Sequence, residues 1–172
     1  EIIMGKKKKT RCGEEKVMRK AFLTVGFSGL SPIAPGTVGS FVSLILAILL
    51  LQVLPSSSIF LLSILITVIA VKQINIYEEQ VGAHDGKEIV IDELAGMWLA
   101  FTISGATQNN WLILAILSFV FFRLFDIWKP SIIGTIDAKV KGGWGVMGDD
   151  IVAGIIAGLC ASATNVLIIN YL

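Results

Sequence analysis

The amino-acid sequence predicts an all-α, polytopic membrane bundle of about four to five spans, with an acidic site at its cytoplasmic face. Three observations carry that expectation. Apolar types make up 55% of the 172 residues and charged types only 16%, against about one quarter charged in an ordinary soluble domain; the mean hydropathy is +0.81. The apolar residues fall into long runs rather than short amphipathic stretches. Carboxylates gather where those runs begin or end: Asp92 and Glu93, Asp126, then Asp149 with Asp150. The length is that of one domain.

Residues 1–20 form a basic arm containing KKKKTRCGEEKVMRK, set apart from a membrane domain at 21–172. Beside a hydrophobic chain, such an arm is expected to sit on anionic lipid headgroups rather than on nucleic acid. It does not read as a secretory signal, because AFLTVGFSGLSPIAPG after it lacks a sustained apolar core. Cys12 and Cys160 are too few and too dissimilar for a disulfide framework or a zinc site.

GFSGLSPIAPGTVGS, 26–40, reads as a Gly/Pro/Ser loop leading into a helix. Pro32 and Pro35 fix φ and remove donors. Thr37 or Ser40 is expected to cap the helix, whose free N–H groups would suit a phosphate. An ordinary connecting loop is the competing reading.

The first span follows, from Val38 to Leu54, and Pro55-Ser-Ser-Ser ends it. The second runs from Ile59 to about Ile76, with Lys72 near its far end. The third begins after Glu93 and fades in ATQNN, the fourth covers Trp111 to Phe125, and the fifth runs from Asp150 to Asn170. Several are shorter than the roughly 20 residues that a straight membrane helix needs, so the third is a candidate for a partial or tilted insertion.

The charges then fix sidedness. PSSS, SGATQNN and the tail NYL hold no Lys, Arg, Asp or Glu; all fourteen basic and thirteen acidic residues fall on the arm, the 72–93 connection or the 123–150 connection. The positive-inside bias orients such a chain with its N-terminus in the cytoplasm and its C-terminus outside. Every acidic motif is then on one face.

Two helix starts share the pattern Asp-x-x-Ala-Gly, at Asp92–Gly96 and Asp150–Gly154. Small residues one turn in let neighbouring backbones approach closely, which would bring the two acidic ends together. Hard divalent ions take oxygen ligands, commonly carboxylates with water and substrate phosphate. Asp92, Glu93, Asp126, Asp149 and Asp150 are therefore the expected ligands of a Mg2+ ion. Lys129 is expected either to pair with Asp126 or to meet a phosphate as a point charge. GGWG, 142–145, reads as a flexible hinge carrying an interfacial Trp144. His84 is the sole histidine and, with Asp85, is a candidate for acid–base work or substrate positioning. Walker and dinucleotide fingerprints are absent.

SGLSPIAPGTVGS, IVIDELAGMWLAF, FRLFDIWKP and GGWGVMGDDIVAGI together resemble the signature blocks of the phosphatidylglycerophosphatase A family, in the family's order and across most of residues 26–158. The resemblance implies a magnesium-dependent phosphatase of the bacterial inner membrane. Such an enzyme hydrolyses phosphatidylglycerophosphate to phosphatidylglycerol and phosphate. From their charge, Asp92, Glu93, Asp126, Lys129 and Asp150 are the expected catalytic residues. Ser31, Thr37, Ser40, His84, Asp85 and Lys129 are the expected substrate contacts. Two departures concern loop shape alone: KPSIIGTID lacks the second Pro often found after Lys-Pro, and Gly148 precedes the Asp pair where a larger residue is common. The basic arm lies outside the resemblance.

Three other readings compete. A small transporter or channel for a divalent cation would carry ionisable groups near mid-span. A phosphatidyltransferase would spread Asp, Gly and Arg through one long motif, which the chain lacks. A water-soluble helical relative is the third, because of the short runs.

Overall fold

The computed structural model describes residues 2–82 and 86–171, with side chains from residue 13 onward. Among the described residues the chain is all helix and turn, with no strand. The helices are α1 (Ile2–Leu23), α2 (Pro35–Leu51), α3 (Ser56–Val81), α4 (Ile91–Ile103), α5 (Trp111–Trp128), α6 (Ile132–Lys139) and α7 (Gly143–Tyr171), with a single 3₁₀ turn at Ser28–Leu30.

Among the described residues, three helices are long and apolar enough to cross a membrane: α3 with 26 residues, α5 with 18 and α7 with 29. At 1.5 Å per residue they measure roughly 39, 27 and 44 Å, against a hydrocarbon core of about 30 Å. Helix α2, with 17 residues, is nearly as long. Their outward faces carry Phe41, Ile45, Leu61, Leu65, Leu112, Ile116, Leu159 and Leu167, all exposed. In water such a surface would drive aggregation; in lipid it is the required solvent-facing surface.

Helix α4 is the exception and the centre. It has thirteen residues, about 20 Å, and ten of them are buried, from Ile91 through Phe101. Surrounded by α2, α3, α5 and α7, it is a half-length core helix rather than a lipid-facing span. Hydrogen bonds pin it on three sides. Trp98 Nε1 donates to the Ser43 carbonyl at 2.8 Å, and Ser63 Oγ donates to that of Ala95 at 2.8 Å. Ser118 Oγ donates to the Ala100 carbonyl at 3.3 Å. Apolar burial gives little drive between helices already in lipid, so such polar links and close packing supply the association.

The fourth side is α7. A Cβ on Gly96 would lie 2.6 Å from the Asp150 carbonyl and from the Phe122 ring. A Cβ on Gly154 would collide with the Gly96 carbonyl. The two Ala-Gly pairs therefore form the crossing of α4 and α7, as the repeated Asp-x-x-Ala-Gly pattern predicts.

Several expected boundaries move. Helix α2 starts at Pro35, with Ala34 as a left-handed N-cap making no side-chain bond. Thr37 and Ser40 lie inside its first turns and cap nothing; Ser40 Oγ donates to the Gly36 carbonyl. Pro at the first helical position is already suited to the start, because its missing N–H would be unpaired there. Helix α7 begins at Gly143, so Asp149 and Asp150 lie nearly two turns inside it rather than opening it. The GGWG stretch is thus a helix start rather than a hinge. Gly142 turns the chain at φ 72°, and the Gly143 N–H donates to Asn75 Oδ1 at 2.7 Å, giving one free helix donor a partner.

The two uncharged turns meet at one end of the bundle, where Gln108 Nε2 bonds the Leu51 and Gln52 carbonyls. The carboxylate clusters meet at the other. Helix α1 runs on past residue 20 to Leu23, which is buried in the core, and Arg19 reaches Gln73 and Gln80 on α3.

Candidate active site

A polar cavity of about 310 Å³ opens at the charged end, lined among others by Asp92, Glu93, Asp126, Lys129, Asp149 and Asp150. Three helices deliver them. The start of α4 presents Asp92 and Glu93, the last turns of α5 present Asp126, Lys129 terminates that helix, and α7 supplies the aspartate pair. One carboxylate oxygen each from Asp92, Glu93 and Asp150 lies within 4.8 Å of the other two. The negative ends of these side chains sit at the N-terminus of α4, where the helix dipole favours negative charge.

The helix dipole and the protein's own donors do not satisfy every carboxylate oxygen. Asp92 Oδ1, Glu93 Oε2 and Asp149 Oδ1 are buried without a hydrogen-bond partner. Such orphans are costly and call for an explanation. A hard cation supplies one. An octahedral magnesium ion holds oxygens at about 2.1 Å, so its opposite ligands stand about 4.2 Å apart. Three carboxylate oxygens within 4.8 Å of one another, all hard donors, fit an ion of that class.

Two cations beside the cluster, Lys129 and Arg123, are committed. Lys129 Nζ lies 2.7 Å from Asp149 Oδ2 and 2.7 Å from Asp137 Oδ1. Burial alone would lower the pKa of this ammonium, but the hydrogen bonds to Asp137 and Asp149 outweigh it and hold it above the ordinary lysine value. Lys129 is also in the left-handed region at φ 45°, with its N–H closing α5 on the Phe125 carbonyl. Arg123 pairs with Asp126 one turn away and reaches Ser40 Oγ at 3.2 Å and Thr37 Oγ1 at 3.3 Å. The expected Lys129–Asp126 pairing is therefore replaced by two separate pairs. Geometry explains the exchange: the left-handed turn at Lys129 swings its side chain toward α6 and α7, and Arg123, three residues before Asp126 on α5, takes its place.

Of the expected substrate contacts from the 26–40 segment, Ser31 is turned into its own loop, with Oγ donating to the Ile33 carbonyl at 2.9 Å. Thr37 and Ser40 reach the site through Arg123. Pro35 is the member of that segment on the cavity wall. His84 and Asp85 lie outside the described residues. Arg123, Lys87 and Asp137 were not anticipated. For Arg123 the signal was present: a lone arginine in the apolar 111–125 run is expensive unless partnered inside the bundle. Asp137 joins the site only because α6 folds back, which no local pattern announces.

A lipid-facing helical bundle with an acidic cavity at its charged end defines the class: a helical membrane protein with a polar site at one end of its spans. The particular kind is given by comparison with known proteins. The family profile described as phosphatidylglycerophosphatase A matches residues 21–165. Phosphatidylglycerophosphatase A of Escherichia coli (strain K12) is 43% identical over 136 residues, 78% of this chain and 77% of that protein. The protein of the same name from Haemophilus influenzae is 35% identical, over 78% of this chain and 82% of its own. A Bacteroides thetaiotaomicron protein with the provisional name phosphatidylinositol-3-phosphatase is 36% identical, over 80% and 90%. No solved structure matches the chain. The chain belongs to the phosphatidylglycerophosphatase A family, and it is a phosphatase.

Proposed function

We propose that the protein is a magnesium-dependent phosphatase of the bacterial inner membrane that hydrolyses phosphatidylglycerophosphate to phosphatidylglycerol and inorganic phosphate. The observation that carries the reading is the Asp92–Glu93–Asp150 cluster, with oxygens within 4.8 Å of one another, beside a lysine in one cavity. The names of the relatives from Escherichia coli and Haemophilus influenzae supply the substrate. Charge gathered at one end of the bundle supports a cytoplasmic site, by the positive-inside bias.

Asp92, Glu93 and Asp150 would hold the ion, with Asp126 and Asp149 at its edge. When bound, magnesium neutralises phosphoryl charge and lowers the pKa of a coordinated water. The protein's own groups do the rest. Lys129 offers its ammonium to a phosphoryl oxygen while fixing Asp149 through Oδ2. Asp149 Oδ1, buried without a hydrogen-bond partner, would accept the proton of an attacking water. The water oxygen would bond to phosphorus as the bond from phosphorus to the glycerol oxygen breaks; that oxygen would leave as the alcohol by taking a proton from bulk water at the cavity mouth, and Asp149 would return its proton to solvent. Holding nucleophile and phosphate in line is most of what such a reaction requires. Acyl chains remain in lipid between the apolar outer faces.

Phosphate release from phosphatidylglycerophosphate by detergent-purified protein tests the reading, with phosphatidylinositol 3-phosphate as the competing lipid. Turnover should vanish on chelation and return with magnesium. Asp92→Asn and Asp150→Asn should each lose at least a hundredfold and lose the magnesium-dependent rise in melting temperature. Chelator-insensitive turnover, or full activity in both variants, would sink the proposal.

A further inference from the structure

Lys87 lines the same cavity as Asp92, Glu93 and Asp150, on the turn that leads into α4, and its side chain is exposed. The other two cations at the site are engaged: Lys129 by Asp137 and Asp149, and Arg123 by Asp126, Thr37 and Ser40. Lys87 has no carboxylate partner among the described residues. The adjacent Glu88 is taken up elsewhere, by the Tyr77 hydroxyl and by Lys20 at 3.9 Å. The cavity therefore has a buried acidic floor, with Asp150 3% exposed, and an uncommitted ammonium toward solvent.

We infer that Lys87 is a specificity-determining residue that binds a second phosphate of the lipid headgroup, the phosphodiester, at the mouth of the cavity. This rests on the proposed hydrolysis of a phosphomonoester at the carboxylate floor. With the monoester at depth, whatever joins it to the diacylglycerol must pass the mouth. In phosphatidylglycerophosphate that link contains a phosphodiester anion; in phosphatidic acid it does not. An ammonium at the mouth adds affinity for the first lipid and little for the second. It takes no part in bond breaking, so its contribution belongs to binding, and it is screened by salt because it is exposed.

The test compares wild type, Lys87→Ala and Lys87→Arg in full-length, detergent-purified enzyme, on phosphatidylglycerophosphate and on phosphatidic acid at low and high salt. For phosphatidylglycerophosphate, kcat/KM should fall roughly five- to tenfold in Lys87→Ala, through KM rather than kcat. Selectivity over phosphatidic acid should shrink by the same factor, Lys87→Arg should restore most of it, and high salt should erode the difference. Equal losses on both lipids, or an unchanged selectivity ratio, would overturn the assignment while leaving the hydrolase reading intact. A wild-type enzyme inactive on both lipids would overturn the hydrolase reading and the assignment with it.

Discussion

Gly154→Ala isolates the link between helix packing and the acidic site. A Cβ at Gly154 would stand 2.9 Å from the Gly96 carbonyl carbon and 3.0 Å from its Cα, besides striking the carbonyl oxygen. Carbon atoms at rest stand about 3.5–4.0 Å apart, so α4 and α7 must separate locally by about 0.5–1 Å. Asp150 lies one turn away, about 6 Å along α7. A productive constellation must be held to within about 0.5 Å, so the displacement is as large as, or larger than, what the carboxylate cluster can absorb. Overpacking costs about 1–3 kcal/mol, of which about 1 kcal/mol is recovered because alanine favours helix over glycine. Activity should therefore fall roughly 10- to 100-fold, while the melting temperature drops by only a few degrees. Gly158→Ala is the control: its Cβ would lie 2.8 Å from the Ala100 carbonyl, a similar clash one turn further from the acids. It should cost similar stability and much less activity. Phosphate release and thermal unfolding in detergent read both quantities. Equal activity losses in the two variants, or wild-type turnover in Gly154→Ala, would refute a packing-controlled site.

Lys129→Ala removes both 2.7 Å pairs and strands Asp149, whose side chain is 7% exposed. Because Lys129 is itself a third exposed, the loss should be about 1–3 kcal/mol rather than the full cost of a broken buried pair. Adding Asp149→Asn should recover part of the melting temperature but none of the activity; a single variant as stable as wild type would contradict the pairing. For topology, single cysteines at Asn109 and Lys141 in a background lacking Cys12 and Cys160 should label from opposite sides of the membrane, with Lys141 protected until the cytoplasm is opened. Labelling of both from one side would refute the charge-based orientation.

The parts of the fold visible in the sequence are those written in long-range composition. Runs of apolar residues without charge mark α2, α3, α5 and α7, because a lipid-facing helix must be apolar over its whole length. The charge-free 105–110 and 52–58 segments mark one end of the bundle for the same reason. The Asp-x-x-Ala-Gly pair foretells the α4–α7 crossing, since close backbone approach demands small residues at one position on each helix. Pairing partners are another matter. Lys129 and Asp126 are three apart, the spacing that favours contact on a helix, yet Lys129 stands in a left-handed turn that points it away. That turn depends on Pro130 and on the fold-back of α6, neither of which fixes a direction from local sequence. The start of α7 was misplaced for a related reason: Gly142–Gly145 reads as a breaker run, but Asn75 from α3 and the close approach to Val71 hold it helical.

The length of α4 explains why the acids can be both buried and reachable. A full span would carry its first turn out to the headgroups, where Asp92 and Glu93 would be solvated and bind an ion weakly. At thirteen residues, α4 instead starts inside the ring of α2, α3, α5 and α7, while α7, more than twice as long, passes beside it and brings Asp149 and Asp150 to the same depth from its second turn. The orphaned oxygens of Asp92, Glu93 and Asp149 follow from that arrangement. Six carboxylates, Asp137 included, stand against three cations, Arg123, Lys129 and Lys87, which leaves three negative charges in excess when all are ionised. The proposed divalent ion would remove two of them and leave one, so the cavity would repel a phosphate far less with the ion than without it. Metal before lipid is accordingly the order of binding that the charge balance favours.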